Sequence, residues 1–223
     1  DSSYVDFGNL SIFKVGVKVN KSQEELEKAC SYCIENDIVN IFNYYFDGLI
    51  KSDFKITQSF VRRTVCKSLT KQNPYYFNHL IKMIKLLSPT IFYQCNSFSS
   101  FLKIASNSNN FQYIKDLLNL TRDCNININI TSSFIESALQ QSKEICQYFI
   151  DQKYPIDYQQ VIDQINDVSR FRLDIFSILF DNANSENKCA LLVNCLIPAI
   201  KNRNKDLVEF LSSKKEPCND ELI

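Results

Sequence analysis

The chain has few of the residues on which sharp turns and metal or phosphate sites depend. Its 223 residues include three glycines, five prolines, one histidine and no tryptophan. So little Gly and Pro disfavours tight hairpins, all-β sandwiches and glycine-rich phosphate loops. A single histidine excludes a histidine-rich metal site. This composition therefore favours a helical protein.

Long apolar runs are also missing, and the cysteines show no disulfide-type spacing. No run reaches the 18 or so apolar residues that a membrane-spanning helix needs, and the N-terminus has no signal-peptide pattern. The nine cysteines are odd in number and mostly lie within apolar helical phrases. We therefore expect reduced thiols and a cytoplasmic location. The chain begins at Asp1 rather than Met, so a further region could precede it.

The remaining composition is ordinary for a globular protein, with 45% hydrophobic and 22% charged residues. A chain of this length forms one elongated domain or at most two compact ones. Asn, Ile, Lys, Ser and Tyr are abundant, which is typical of an AT-rich genome and makes chance motifs frequent.

A helical phrase recurs along the chain. In Lys205–Leu211, the residues Leu207, Val208 and Leu211 share one face at a 3.6-residue period, while Asp206 and Glu209 lie toward the other. Similar phrases begin at positions 30 to 38 residues apart, namely Asp37, Tyr75, Gln112, Glu144, Asp174 and Asp206. Two helices per unit at a period near 33 predict an all-α fold, an α-solenoid of about six helix-turn-helix units. An irregular helical bundle is the alternative.

Three segments follow from this pattern. Residues 1–21 contain the alternating Val15, Val17 and Val19, which predict a short N-terminal extended or strand segment. This segment would act as an arm or cap, or pair with another chain. Residues 22–216 form the helical repeat domain, which starts with a capping box between Ser22 and Glu25. Residues 217–223 form a flexible tail.

The second-helix phrases carry a family resemblance. Asn202–Leu211 resembles the second helix of ankyrin repeats, and Phe149–Asp157 resembles the helix end and finger that follow it. The resemblance covers roughly residues 22–216, but the Thr-Pro-Leu-His opening and the turn glycines are missing. Such diverged repeats are common in AT-rich protists and large DNA viruses. The resemblance implies a non-catalytic scaffold for protein–protein interaction, with HEAT-like repeats as the structural alternative.

Two features of the sequence are candidates for chemistry. His79 has no second histidine to form a metal site, and we interpret it as an ordinary helix residue. Cys30 and Cys33 have the CxxC spacing of zinc and redox sites, but no second CxxC follows. We expect no enzyme activity, no catalytic or metal residues and no cofactor. The alternatives are a cysteine-dependent or zinc-binding helical domain, or a repeat tether for a missing catalytic region.

Charge distribution is the feature that stands out. The chain is neutral overall, yet residues 54–115 contain nine basic residues and no acidic one. Arg63, Lys67 and Lys71 follow at i, i+4 and i+8 on one helix face, beside Arg62. The pattern predicts a basic surface for an acidic partner, namely a protein with an acidic surface or tail, a nucleic acid, or a phosphorylated or anionic lipid. Pairing with acidic residues of the same chain is the alternative. Nucleic acid is the least favoured partner, and no small-molecule substrate or membrane span is expected.

Overall fold

A computed structural model describes residues 22–51, 57–86 and 97–214, all of whose regular elements are α-helices. By contact density the chain divides at Cys95 into two compact units. The N-terminal strand segment and residues 217–223 lie outside the described residues, so those two predictions stay open. The all-α prediction is confirmed for the part that the structure describes.

The first unit contains four described helices: α1 Gln23–Glu35, α2 Val39–Lys51, α3 Gln58–Lys71 and α4 Pro74–Leu86. The predicted capping box opens α1, because Ser22 accepts from the backbone N–H of Glu25 and the Glu25 carboxylate accepts from that of Ser22. Pro74 takes the first position of α4, where its missing N–H costs nothing. Helix α1 packs on α2 and α3, and α4 packs on α2 and α3.

The second unit contains nine described helices. Their bounds are α5 Ser97–Asn107, α6 Phe111–Asp123, α7 Thr131–Leu139, α8 Lys143–Asp151, α9 Tyr158–Asp163, α10 Ile165–Val168, α11 Leu173–Asp181, α12 Ser185–Lys201 and α13 Lys205–Ser213. The sequence predicted a single helix over 157–167, but Gln164 (φ −107°, ψ 28°) interrupts it between α9 and α10. The sequence also predicts an extended alternating stretch over 122–129, outside the core. Arg122 and Asp123 instead end α6, and only 126–130 is non-helical and without turns, with Ile128 and Ile130 buried in the core.

Helices in the second unit pack in chain order in two series. In one series α5 contacts α7, α7 contacts α9 and α10, and these contact α12. In the other, α8 contacts α11 and α11 contacts α13. Consecutive helices such as α5 and α6, α7 and α8, or α12 and α13 also contact each other. Each helix pair therefore packs mainly on its neighbours in sequence.

The second helix of each pair buries the same positions. The third residue of each second helix is buried in all six pairs, and so is the seventh residue. These residues are Ile41, Tyr76, Tyr113, Ile145, Ile175 and Leu207, followed by Tyr45, Leu80, Leu117, Phe149, Leu179 and Leu211. Among the six predicted phrase starts, Asp37 does not fit this pattern, because it lies in the turn before α2. Asn40 is the second residue of α2 and occupies the position that the other five phrase starts have in their helices.

The turns form without glycine. Six helices end in a Schellman motif whose left-handed residue is Asp37, Asn109, Asn125, Gln141, Lys153 or Arg203, each with φ between 51° and 60°. At Arg203, for example, the N–H of Asn204 donates to the Ala199 carbonyl at 3.0 Å and that of Arg203 to the Ile200 carbonyl at 3.0 Å. The missing turn glycines therefore do not prevent a tight turn.

Side-chain hydrogen bonds connect turns of successive helix pairs. Asn73 donates to Asp37 at 2.6 Å in the first unit, and Gln140 donates to Asn107 at 3.0 Å in the second. Ser142 also bonds to Asn109. Partners in these bonds are 33 or 36 residues apart, close to the period that the sequence shows.

Candidate interaction surface

Helix α3 presents the predicted basic residues on the side away from its core. Phe60, Val61, Thr64, Val65, Ser68 and Leu69 are buried along one face of this helix. Arg62, Arg63 and Lys71 are exposed on the other face, and Lys67 is partly exposed. Packing of the buried face fixes the rotation of α3, so these four side chains stay on its outer side.

Lys67 differs from its neighbours because it forms an ion pair with Glu35 at the end of α1. The Lys67 side chain is 33% exposed and that of Glu35 is 50% exposed. Arg62, Arg63 and Lys71 form no ion pair with any residue that the structure describes. The candidate basic surface thus consists of Arg62, Arg63 and Lys71, with Lys67 partly neutralised.

Lys82 on α4 is also exposed, whereas two basic residues of the segment have partners within the second unit. Lys103 and Lys115 belong to the second unit, where Lys103 lies 3.8 Å from the Glu136 carboxylate. The ammonium group of Lys115 lies 3.9 Å above the ring of its own helix neighbour Phe111. Some of these charges therefore pair within the chain, whereas Arg62, Arg63 and Lys71 have no ion-pair partner among the described residues. Binding of an acidic partner stays a prediction.

The CxxC pair occupies the core of the first unit. Cys30 and Cys33 on α1 are both buried, and burial raises the pKa of Cys33 to about 11 and that of Cys30 further. Nucleophilic attack and zinc ligation both require the thiolate, which this environment disfavours. Among the described residues no group of three His, Cys, Asp or Glu side chains is arranged to hold a metal ion.

His79 belongs to an aromatic cluster. Its ring lies 4.4 Å from that of Tyr75 and packs edge-on against Phe42 and Phe46. Nδ1 is 2.9 Å from the carbonyl oxygen of Tyr75, so this nitrogen carries the proton in that contact. The described surroundings of His79 are thus aromatic side chains and helix backbone. They fit a packing role.

One cysteine differs from expectation. Six described cysteines have free thiols, whereas Cys189 at the start of α12 is disulfide-bonded. The expectation that every thiol is reduced therefore does not hold at Cys189.

No protein-family model, curated protein or solved structure matches this chain. Among the described residues no helix is both long and apolar enough to span a membrane.

A second exposed surface was not predicted. Helix α12 carries three large aliphatic side chains in solvent, Val193, Ile197 and Ile200, with exposed fractions of 65%, 62% and 56%. The sequence predicts an apolar helix over Leu192–Ile200 and does not show which of its faces is exposed. The available signal was its composition, because between Cys189 and Ile200 only Asn194 is polar and an ordinary surface helix needs a wider polar face.

Proposed function

We propose that this chain is a non-catalytic protein-interaction module, built as a stack of ankyrin-like helix pairs, whose α3 face binds an acidic protein surface or tail. The observation that carries the proposal is the open basic row Arg62, Arg63 and Lys71 on a helix whose opposite face is buried. None of these three side chains has an ion-pair partner among the described residues, so an acidic surface or tail could pair with all of them.

The repeat architecture is supported by three features of the described helices. Helices of the second unit contact each other in chain order in two series, as in a stack of helix pairs. Turn-to-turn hydrogen bonds join residues 33 or 36 positions apart. The same positions of each second helix are buried. In such a stack the exposed surface is extended, which suits the binding of another protein.

A binding assay with a defined acidic probe tests the function. The probe is a fluorescent peptide rich in Glu and Asp, and its anisotropy is measured with the full chain at about 50 mM and 500 mM salt. We expect binding at low salt that weakens at least tenfold at high salt. The combined variant Arg62→Glu, Arg63→Glu and Lys71→Glu should lose binding at both concentrations.

The matched control makes the same change of charge elsewhere. Arg122, Lys153 and Arg170 are exposed in the second unit, and their combined change to Glu should leave binding within about twofold, since none of them belongs to the α3 face. Equal loss in both triple variants would show that net charge, rather than the α3 face, attracts the probe. If a DNA oligonucleotide binds more tightly than the peptide, the partner is a nucleic acid and not an acidic protein.

A further inference from the structure

Helix α12 has apolar side chains on two opposite faces. At 100° per residue, Leu191, Cys195 and Ala199 lie on one side and are fully buried. Val193, Ile197 and Ile200 lie on the other side and are the three most exposed large hydrophobic residues described. A helix that is apolar on both faces is normally covered on both. We call the exposed three residues the α12 stripe.

The α12 stripe continues an existing series of contacts. Helices α5, α7, α9 with α10, and α12 pack on one another in that order, and α12 is the last described member of the series. The buried face of α12 packs against the rest of this unit. Its exposed face is therefore oriented away from the preceding helices. Cys189, one helical turn before Val193 on this face, is disulfide-bonded, so the stripe is open from Val193 onward and its next occupant would present an apolar surface there.

Charges at the two ends of α12 indicate what this occupant is. Glu186 lies in the first turn of the helix and Lys201 in the last turn, about 22 Å apart at 1.5 Å per residue. Neither forms an ion pair with any described residue. Exposed Arg203, Lys205 and Asp206 follow Lys201, and exposed Asp181 precedes Glu186. Lys188 near the first end lies over the ring of Phe180, 5.5 Å from its centroid. Along its exposed face α12 is thus acidic at one end, apolar in the middle and mainly basic at the other.

This pattern complements itself when two copies are antiparallel. A two-fold axis through the middle of the stripe brings the acidic end of each α12 to the basic end of its partner, and stacks stripe on stripe. A parallel arrangement would bring like charges together. We propose that the α12 stripe is a self-association surface, at which two copies of this chain pair through antiparallel α12 helices.

The size of the stripe sets the strength of the pairing. Three aliphatic side chains exposed to this degree present roughly 300 Å², at the lower end of functional apolar patches. A stable complex buries about 800 Å² on each partner. The pairing is therefore weak, and we expect it only where the chain is locally concentrated.

Sedimentation equilibrium of the full chain from about 10 µM to 1 mM measures this directly. We expect the weight-average mass to rise from 25.9 kDa toward twice that value across the range. Ile197→Glu should keep the chain monomeric throughout, because it places a charge in the middle of the contact. Val193→Ser, which is smaller and neutral, should weaken association about tenfold. Since both side chains are exposed, circular dichroism should show an unchanged helical content.

A charge exchange tests the antiparallel arrangement. Glu186→Lys alone and Lys201→Glu alone should each weaken association at least threefold, because each places like charges together at both ends of the pair. The double variant should recover association to within about twofold of the original. A monomeric wild-type chain up to 1 mM would overturn the proposal and assign the stripe to another protein or to another segment of this chain. Association that is insensitive to Ile197→Glu, or a double variant without recovery, would overturn it as well.

Discussion

The side-chain amide of Asn204 donates to the backbone carbonyl oxygen of Phe171 at 2.7 Å, across 33 positions of the sequence. The same amide donates to the carbonyl of Ser169 at 3.0 Å. Its Oδ1 accepts from the N–H of Leu207 at 3.4 Å and so caps α13. One asparagine therefore joins the turns of two successive helix pairs and begins a helix.

Removing this side chain should destabilise the second unit. Asn204→Ala leaves two carbonyl groups in the partly buried turn without their partner and removes a helix cap, so we expect a loss of about 2 kcal/mol in the free energy of unfolding. Urea denaturation followed by circular dichroism measures it. Asn194→Ala is the matched control, because exposed Asn194 bonds only to the Ala190 carbonyl of its own helix. Its effect should stay within about 0.5 kcal/mol.

The glycine-free turns yield a second prediction. Lys153 and Gln141 are exposed and adopt left-handed backbone conformations with φ of 57° and 60°. A Cβ atom in this conformation costs roughly 1–2 kcal/mol, while glycine loses more backbone freedom on folding. We expect Lys153→Gly and Gln141→Gly each to raise the free energy of unfolding by about 0.5–1 kcal/mol.

Two controls separate backbone strain from the loss of a side chain. Lys153→Ala keeps the Cβ atom and should change stability by less than about 0.5 kcal/mol. Glu209→Gly, at an exposed helical position of α13, should lower stability by about 1 kcal/mol. If glycine destabilises the turns as much as it destabilises α13, the turn residues are not strained.

Local signals act over short distances and can be read from the sequence. The capping box at Ser22 was predicted because it acts within one turn of backbone. Asn110 and Asn204, which cap α6 and α13, act over the same short range. The turns were less predictable, because the usual marker of a left-handed residue is glycine and here Asp37 or Lys153 takes its place.

Features that depend on long-range contacts could not be predicted from the sequence. The helical period predicted that Arg63, Lys67 and Lys71 share a face, but the ion pair of Lys67 with Glu35 joins residues 32 positions apart and depends on how α1 packs on α3. Periodicity likewise identified α12 as apolar without showing which of its faces is covered. Exposure of Ile197 follows from the position of α12 in the series of helices.

Buried serines in α7 provide a third prediction. Ser133 and Ser137 are fully buried, and neither hydroxyl has a hydrogen-bond partner among the described residues. A buried hydroxyl without a partner costs about 1–3 kcal/mol of desolvation, whereas a small side chain lets α7 pack closely on α5. We therefore expect Ser137→Ala to raise the free energy of unfolding by about 1 kcal/mol. Ser137→Leu should lower it by about 2 kcal/mol through overpacking.

Ser68 is the matched control for this pair of changes. It is equally buried in α3, but its hydroxyl donates to the Val65 carbonyl at 2.8 Å. Ser68→Ala removes a satisfied hydrogen bond and should cost about 1 kcal/mol. A cost of the same size for Ser137→Ala would mean that its hydroxyl is satisfied in solution, for instance by a buried water.

Stability should fall in alkaline solution because of the buried thiols. Burial raises the pKa of Cys146 to about 12, while an unfolded chain has a thiol pKa of about 8.5. The folded state thus keeps a proton that the unfolded state releases, so stability is full below about pH 8.5 and decreases as the pH rises toward 12. Per thiol the slope approaches about 1.4 kcal/mol per pH unit.

Denaturation at intervals between pH 7.5 and 10 measures the slope in the original chain and in Cys146→Ala, which should be less steep. Val161→Ala truncates an equally buried side chain that does not titrate, so it should lower stability without altering the slope. Equal slopes in Cys146→Ala and the original chain would show that this thiol ionises as readily in the folded state as in the unfolded one.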